Sequence, residues 1–333
     1  MFRLELIKAD LSKRYDITPI AGNIAWESNF TMTVSMEFEA VTSDVLRFTK
    51  NPCDVGDNVI LRKNNEEIYR GIIVEEQRQG RKLIKYTTYD YSWYLNESTS
   101  VYQFNNITST QAIERVLNDF GIKIGSILNM PTVIDEIFML KTPGQIIQAI
   151  IENVQRKEGY MVNAEMREGK IYFEKRNDLL ITGRFKLADN IAPADASASI
   201  SEPNRTRSIK DMRNRIRIIV DDEETEYEIT AQKERTDLIE KYGLLEETLK
   251  IDAEDAAKSR QVARVLLNRL ARIHEKNEAK FLGDVRFKAG RLFDVRESIT
   301  GMNNRFIIVS AKHKVNNQIH VMDLELADVS EVG

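Results

Sequence analysis

Two of the three histidines lie in one stretch, RFIIVSAKHKVNNQIHVMDLEL, which spans Arg305–Leu326. If Asn316–Asn317 forms a hairpin turn, His313 faces His320 across it, because asparagine tolerates the positive φ of such turns. Two facing imidazoles could bind a metal ion. A catalytic zinc site, however, usually has three protein ligands, and no third ligand is suggested nearby. The pattern therefore favours structural histidines over a metal centre.

The same register sets Ala311 opposite Met322 and Ile307 opposite Leu326. The histidine pair would then lie at the turn end of an apolar strand face. The sequence leaves open whether that face is turned to the interior of a barrel or to a neighbouring protein.

Other familiar catalytic patterns are missing from the sequence. It contains no GxGxxG, GxxxxGK[ST], GxSxG or HExxH motif. The single cysteine, Cys53, lies in NPCDVGD without a histidine beside it, so a packed thiol is favoured over a nucleophile. Paired carboxylates remain open, because 52 acidic residues offer many pairs. We predict no catalytic residue, no metal site and no cofactor.

An alternating basic row occupies DMRNRIRIIVDDEETEYEI. With Asp221–Asp222 as a two-residue turn, Arg217 would face Glu226 and Arg215 would face Glu228. These pairs account for the acidic residues without a bound cation. Exposed pairs contribute only about 0–1 kcal/mol each, so their value would lie in strand register or partner choice. The candidate contacts with other subunits or partner proteins are Arg213, Arg215, Arg217, Glu226 and Glu228.

Charge and hydropathy restrict the class of protein. The net charge is −4 and the pI is near 5.7, which argues against a protein that coats phosphates, so no specific nucleic-acid partner is expected. No apolar run reaches the roughly 18 residues of a membrane span. The N-terminal stretch lacks the apolar core of a signal peptide, which predicts synthesis in the cytoplasm.

The elements that must position these residues fall into three parts. Residues 1–98 predict a small β-barrel, since short strands alternate with turn signals such as Lys63–Asn65 and Gln79–Arg81. Residues 99–200 predict an α+β domain. Its two helices begin at capping boxes, with Thr108 before Gln111 and Thr142 before Gln145.

A small, polar stretch, NIAPADASASISEPNRT, is the best linker candidate. After it, residues 201–333 predict a second β-barrel with a long inserted helix at about 252–275. Asp252 would cap this helix, and His274 would lie near its C-terminal end, where the helix dipole favours a cation.

The first and last parts also echo each other. VGDNVIL at Val55–Leu61 resembles AGRLFDV at Ala289–Val295 when Gly56 is placed on Gly290. The string IIV then recurs within one residue of the same position in both copies. This predicts that the two flanking domains are the same kind of barrel. A trimer of such chains would present six similar positions in a ring.

Four stretches carry a family resemblance. They are YDYSWYLNES, TSTQAIERVLNDFGI, SIKDMRNRIRI and FIIVSAKHKVNNQIHVMDLEL. In this order they resemble the XkdQ/YqbQ-type proteins of PBSX-like defective prophages and contractile phage-tail-like bacteriocins. The final pattern of His313, His320, Met322, Leu324 and Leu326 is the most specific part. These proteins are similar to baseplate hub proteins of contractile tails.

The resemblance implies a mainly β fold, with two related barrels flanking a middle α+β domain. It implies a homotrimeric, non-enzymatic hub whose pseudo-sixfold ring adapts a sixfold tail tube, or its initiator, to a threefold spike. Other baseplate proteins would also be partners, and the location would be a virion or tail-like particle. A peptidoglycan hydrolase at the tail tip is the alternative function, and a nucleic-acid-binding barrel is a third.

Overall fold

A computed structural model describes residues 1–43, 50–181, 184–185, 194–195, 200–221, 228–252, 257, 259–297 and 300–329. They form two compact units. The larger comprises Met1–Pro203 and Glu278–Val329, and the smaller comprises Asn204–Asn277. Most described residues in regular structure belong to strands, which confirms the predicted mainly β class.

The strands are β1 (Phe2–Ile7), β2 (Arg14–Asp16), β3 (Ala21–Ser28), β4 (Ser35–Val41), β5 (Asn58–Lys63), β6 (Glu66–Gln79), β7 (Leu83–Tyr89), β8 (Ser100–Thr108), β9 (Ile124–Ile127), β10 (Val133–Lys141), β11 (Val162–Arg167), β12 (Lys170–Lys175), β13 (Arg184–Phe185), β14 (Ala194–Asp195), β15 (Ser201–Ser208), β16 (Arg215–Asp221), β17 (Glu228–Glu234), β18 (Glu246–Asp252), β19 (His274–Leu282), β20 (Leu292–Glu297), β21 (Met302–Asn316) and β22 (Ile319–Asp328). The α-helices are α1 (Ser109–Asp119), α2 (Pro143–Glu158), α3 (Thr236–Tyr242) and α4 (Ser259–Leu270). Two 3-10 helices span Tyr91–Leu95 and Arg176–Asp178.

One extended sheet contains β1–β7 of the first predicted barrel and β15 and β19–β22 of the second, whereas β16, β17 and β18 form a separate sheet in the smaller unit. The order of the extended sheet is β15-β19-β22-β21-β3-β4-β7-β6-β5-β1-β2, and β20 also pairs with β21. The alternating residues of β1, β4 and β7 bury one face, as their period of two predicts. The first apolar core includes Leu4, Leu6, Phe38, Leu61 and Tyr86. The second includes Phe287, Phe293, Ile308, Met322 and Leu324.

The two predicted barrel segments repeat one hydrogen-bond pattern. The Gly56 N–H donates to the Ile73 carbonyl across 2.8 Å, and the Gly290 N–H donates to the Ile308 carbonyl across 2.8 Å. Both glycines have left-handed backbones, with φ of 91° and 82°. The sequence echo that placed Gly56 on Gly290 therefore coincides with a structural repeat.

A β-bulge marks the same place in each copy. β6 has an extra residue at Val74 against β7, and β21 has one at Val309 against β22. Each bulge comes directly after the isoleucine that accepts from the glycine. Because bulges rotate and bend a strand, the shared position gives both long strands the same local shape. By position, β5, β6 and β7 correspond to β20, β21 and β22.

The middle part contains α1, α2 and the short sheets β8–β10 and β9–β12–β11. Both predicted capping boxes are present, at Thr108 with Gln111 and at Thr142 with Gln145. Helix α2 ends at Gly159, which adopts the left-handed conformation common at helix C-termini. The helices bury Ile113, Val116, Leu117, Ile146, Ile147, Ile150 and Val154.

The smaller unit corrects the prediction for its helix. The described part of helix α4 covers Ser259–Leu270, so the helix ends before the predicted bound of about 275. Asp252 pairs with Asp221 at the end of strand β18, and the residues that would follow it in the predicted helix, 253–256, lie outside the described residues. His274 begins strand β19 and does not lie in the helix. Among the described helices α2, with 16 residues, is longer than α4.

Candidate functional site

The predicted arginine row lies on one face of β16. Arg215 Nε donates to Glu234 Oε2 across 2.7 Å, and Arg217 Nη1 donates to Glu246 Oε1 across 3.0 Å. Arg213 Nε is 3.0 Å from Glu247 Oε2. The three guanidinium groups keep 21–33% of their side-chain surface exposed. The row is therefore a solvent-facing ionic network whose acidic partners come from the same unit.

The predicted register of this hairpin is wrong. Strand β17 places Glu234 opposite Arg215 and Gln232 opposite Arg217, while Glu228 pairs with Val220. The candidate Glu226 lies outside the described residues. The observed register sets Ile218 opposite Ala231, and both belong to the core that these strands share with α4. Burial of that apolar face decides the register, since a one-residue shift would turn it outwards.

Sequence reasoning also missed the second source of carboxylates. Strand β18 runs parallel to β16 and places Glu246 beside Arg215. The buried Asn214 side chain holds the chain in place just before β18 begins. It donates to the Gly243 carbonyl across 2.7 Å and accepts from the Leu245 N–H across 2.8 Å. The sequence signal for this strand is the alternation in EETLKID, which spans Glu246–Asp252.

The final hairpin turns one residue later than predicted. Asn317 and Gln318 form the turn with positive φ values of 49° and 67°. Met322 therefore lies opposite His313, and His320 lies opposite Val315. The direct pairing of the two histidines is wrong, but both point to the same face. They meet diagonally, with His313 Nδ1 3.0 Å from His320 Nε2.

The hydrogen-bond partners fix the proton positions of the pair. The Phe287 carbonyl can only accept, so His313 Nε2, 2.7 Å away, carries a hydrogen. In a neutral His313 the Nδ1 atom then accepts from His320 Nε2. His320 Nδ1 is left as an unprotonated acceptor, and it is buried without a partner. The two rings form a one-way relay that ends on a backbone carbonyl.

Aromatic rings enclose the histidine pair. Trp26 stacks on His313 with ring centroids 4.7 Å apart, and Phe2 meets His320 edge-on at 5.2 Å. Burial lowers the pKa of His313 to about 4. Burial, together with the adjacent His313, lowers the pKa of His320 to about 3. Both imidazoles are therefore neutral at pH 7; His313 is fully buried, whereas His320 is half-buried.

The segment Gly283–Arg291, called the junction loop below, touches three parts of the larger unit. Its Phe287 carbonyl accepts from His313 of the last hairpin, and its Ala289 N–H donates to Ser28 Oγ on β3 across 3.0 Å. Gly290 approaches the middle domain so closely that a Cβ there would lie 2.0 Å from Asn163 Oδ1. The junction loop thus connects both barrels to the middle domain.

Glu165 on β11 anchors the same loop through buried charges. Lys288 Nζ lies 2.8 Å from Glu165 Oε1, and Arg291 binds Oε2. Arg167 Nη2 approaches Oε2 at 3.3 Å. Burial alone would raise the pKa of the Glu165 carboxyl, but the three cations around it lower that pKa to about 2. The carboxylate is ionised and balances a buried positive cluster.

The single cysteine is unreactive in its surroundings. Burial raises the pKa of the Cys53 thiol to about 12, which keeps it protonated at neutral pH. Among the described residues, no three His, Cys, Asp or Glu side chains converge as metal ligands would. None of the described helices is long and apolar enough to cross a membrane.

Known folds resemble this chain over nearly its full length. The 43 kDa tail protein of prophage MuSo2 from Shewanella oneidensis superimposes with a TM-score of 0.71 at 15% identity, covering 98% of each chain. Prophage tail protein gp18 from Listeria monocytogenes gives a TM-score of 0.59 at 11% identity, covering 99% of this chain and 96% of its own.

A third similar structure is the E. coli c3393 protein, a type VI secretion component described as structurally similar to the T4 bacteriophage tail proteins gp27 and gp5. Its TM-score is 0.55 at 9% identity, and the match covers 94% of this chain and 74% of that one. A search of curated proteins found no match. At these identities the structures establish the fold.

A family model described as YQBQ-like matches residues 24–327. The match includes the repeated barrel segments, the middle domain, the arginine row and both histidines of the last hairpin. Because it spans most of the sequence, and agrees with the resemblance carried by the sequence motifs, the chain belongs to the YQBQ-like family.

Proposed function

We propose that this protein is a structural hub in the baseplate of a contractile tail or tail-like particle. Three chains assemble into a homotrimer whose six barrels form a pseudo-sixfold ring. The observation that carries this proposal is the repeat of the glycine hydrogen bond and the β-bulge in both barrels. Two equivalent barrels in each chain let a threefold assembly offer six similar surfaces.

Such a ring solves a symmetry mismatch. Its barrel face would bind a sixfold tail tube, or the protein that initiates it, and its threefold body would hold the spike. The tail-protein folds that this chain shares, and its family, support this role. The arginine row and its acidic neighbours are the proposed contacts with another subunit or baseplate protein.

We assign a different part of the proposed hub to each of three segments. Residues 1–98 and 201–333 supply the barrels, and residues 99–200 face the surrounding baseplate. The location is the baseplate of the particle, after synthesis in the bacterial cytoplasm. The protein takes no cofactor in this role.

A structural role, rather than catalysis, fits the state of the histidines. Three of their four ring nitrogens are committed to an internal relay, and the aromatic rings of Trp26 and Phe2 pack against them. A general acid or base instead needs access to substrate and a pKa near the working pH. A peptidoglycan zymogram tests this point: the protein should produce no clearing. Clearing that disappears in His313→Ala and His320→Ala variants would support the hydrolase alternative.

Light scattering coupled to size-exclusion chromatography tests the assembly. The expected mass is that of three chains, either for the protein alone or after mixing with its spike and tube partners. A chain that remains monomeric with both partners present would contradict the hub proposal.

A further inference from the structure

The repeat extends outwards from the two long strands. The Thr42 N–H donates to the Lys82 carbonyl across 2.9 Å beside β7, and the Gly283 N–H donates to the His320 carbonyl across 2.9 Å beside β22. Each bond lies just beyond a strand, β4 in the first copy and β19 in the second. β4 therefore corresponds to β19. The next strands outwards, β3 and β15, occupy corresponding places in the sheet order.

Within the chain, the two copies meet where β3 pairs with β21. β20 covers one edge of β21 over Met302–Ile307, and β3 then covers Ala311–Val315. The first strand of copy one thus docks on the long strand of copy two, directly after its bulge. This contact is a head-to-tail junction between unlike surfaces.

The corresponding edge in copy one carries no strand in the described part of the chain. β5 covers β6 only over Glu66–Ile72, while β7 covers the opposite edge to Gln79. Ile73 in the first copy corresponds to Ile308 in the second. Two residues further along, Glu75–Gln79 therefore corresponds to Ser310–Lys314 of β21. We call Glu75–Gln79 the open edge. Within the described part of the chain its outer backbone groups pair with no strand, and such groups are a template for another strand.

Charged side chains do not prevent pairing at such an edge. The matching stretch of β21 carries exposed Lys312 and Lys314, yet β3 pairs with it, and Lys312 Nζ lies 3.8 Å from Glu27. The open edge carries exposed Glu75, Gln77 and Arg78. Both edges therefore expose charged side chains, and one of them is already paired.

The strand that matches β3 is also placed to pair outwards. Among the described strands β15 ends the sheet order, with β19 on one side. It contains Pro203, and proline in a sheet is typical of an edge strand. Its Arg205 and Arg207 both contact Glu275, and they give the strand a basic character opposite in sign to Glu75 and Glu76 of the open edge. Opposite charge makes these two edges complementary.

We propose that β15 of one chain pairs with the open edge of β6 in the next chain, repeating the β3–β21 junction between subunits. Three such contacts and three internal junctions close a ring of six barrels. The inference rests on the proposed homotrimer and names the surfaces that join it. The partner is a second copy of this chain because only the repeat supplies a matched strand for each edge.

Disulfide trapping tests this pairing in the full-length protein. In a Cys53→Ser background, Arg78→Cys is combined in turn with Glu202→Cys, Asn204→Cys or Thr206→Cys, which covers the register on β15. At least one pair should convert most of the protein into a covalent trimer on a non-reducing gel, reversed by reductant. Gln103→Cys, an exposed position on β8, replaces Arg78→Cys as the matched control and should yield no trimer.

Light scattering on the same samples separates the two proposals. A non-covalent trimer in which no pair cross-links would overturn the edge pairing and leave the hub intact. Efficient cross-linking by Arg78→Cys alone would show a two-fold contact between identical edges, which also overturns it. A chain that stays monomeric with its spike and tube partners would remove both proposals.

Discussion

His320 donates from Nε2 to Nδ1 of His313 across 3.0 Å, and the backbone carbonyl of Phe287 sets the direction of that bond. The relay holds both rings neutral at the place where β3 of the first barrel meets β21 of the second. A proton on either ring would place a positive charge among Trp26 and Phe2. The junction between the barrels is therefore sensitive to acid.

Acid should weaken the fold in a defined range. His313 has a pKa of about 4 in the fold, below its ordinary value of 6.5, so the unfolded chain binds more protons between those values. Stability is then complete above pH 6.5 and falls as the pH drops towards 4, by on the order of 3 kcal/mol from this residue. Urea unfolding at several pH values measures the slope. The His313→Gln/His320→Gln double variant should show a shallower slope.

Asp90 acts in the opposite direction and provides a control. Burial raises its pKa to about 7, so the folded state binds its proton first and gains stability as the pH falls from 7 towards 3.8. Asp90→Asn should therefore steepen the acid loss between pH 7 and 4. An unchanged slope in the double histidine variant would show that the relay does not control the acid response.

Removal of the Glu165 charge should destabilise the larger unit strongly. Glu165→Gln leaves Lys288 and Arg291 in a buried place without their carboxylate, and a broken buried ion pair typically costs about 3–5 kcal/mol. The half-exposed neighbour Glu174 also binds Arg167, so Glu174→Gln is the matched control and should cost less than about 1 kcal/mol. Denaturant midpoints of both variants measure the difference, and equal costs would contradict the role of Glu165.

The paired glycines allow a direct comparison of backbone strain with crowding. Gly56→Ala and Gly290→Ala both place a side chain on a left-handed backbone, but only the Cβ at residue 290 meets another group, Asn163. Gly290→Ala should therefore lose more stability, by at least about 1 kcal/mol. Asn163→Ala in the Gly290→Ala protein should recover part of that loss. Equal costs at the two glycines would contradict the predicted crowding.

Local rules predicted the elements that depend on neighbouring residues. The capping boxes at Thr108 and Thr142 are present because a threonine and a glutamine three residues later satisfy each other's backbone groups. The predicted correspondence of Gly56 with Gly290 is also confirmed. Both glycines have a left-handed backbone and donate to the isoleucine just before a β-bulge. The mainly β class followed from the same short-range alternation.

Long-range contacts decided what the sequence could not predict. The last hairpin turns at Gln318, whose side chain accepts from the Phe2 N–H across 2.7 Å, a contact between opposite ends of the chain. The helix α4 ends at Leu270, because His274, predicted near its C-terminal end, begins strand β19 of the extended sheet. In the arginine row, Arg217 binds the carboxylate of Glu246 on the parallel strand β18 and not the predicted carboxylate in the adjoining hairpin. Strand order is not encoded in the spacing of one segment.

Charge reversal in the arginine row should separate folding from assembly. Arg215→Glu breaks the pairs with Glu234 and Glu246, and because solvent-exposed ion pairs add little to stability the chain should still fold. If the row binds another subunit or baseplate protein, the variant should lose partner binding or particle assembly at least tenfold. Thermal unfolding and co-purification with partners measure the two effects.

A charge swap distinguishes an internal role from a partner contact. Arg215→Glu combined with Glu234→Arg restores an opposite pair across β16 and β17, where the residues are direct neighbours. An internal role predicts that the swap restores both stability and assembly, whereas a partner contact predicts that stability returns and assembly stays low. Intact trimers, partner binding and particles in the single variant would remove the arginine row from the candidate interfaces.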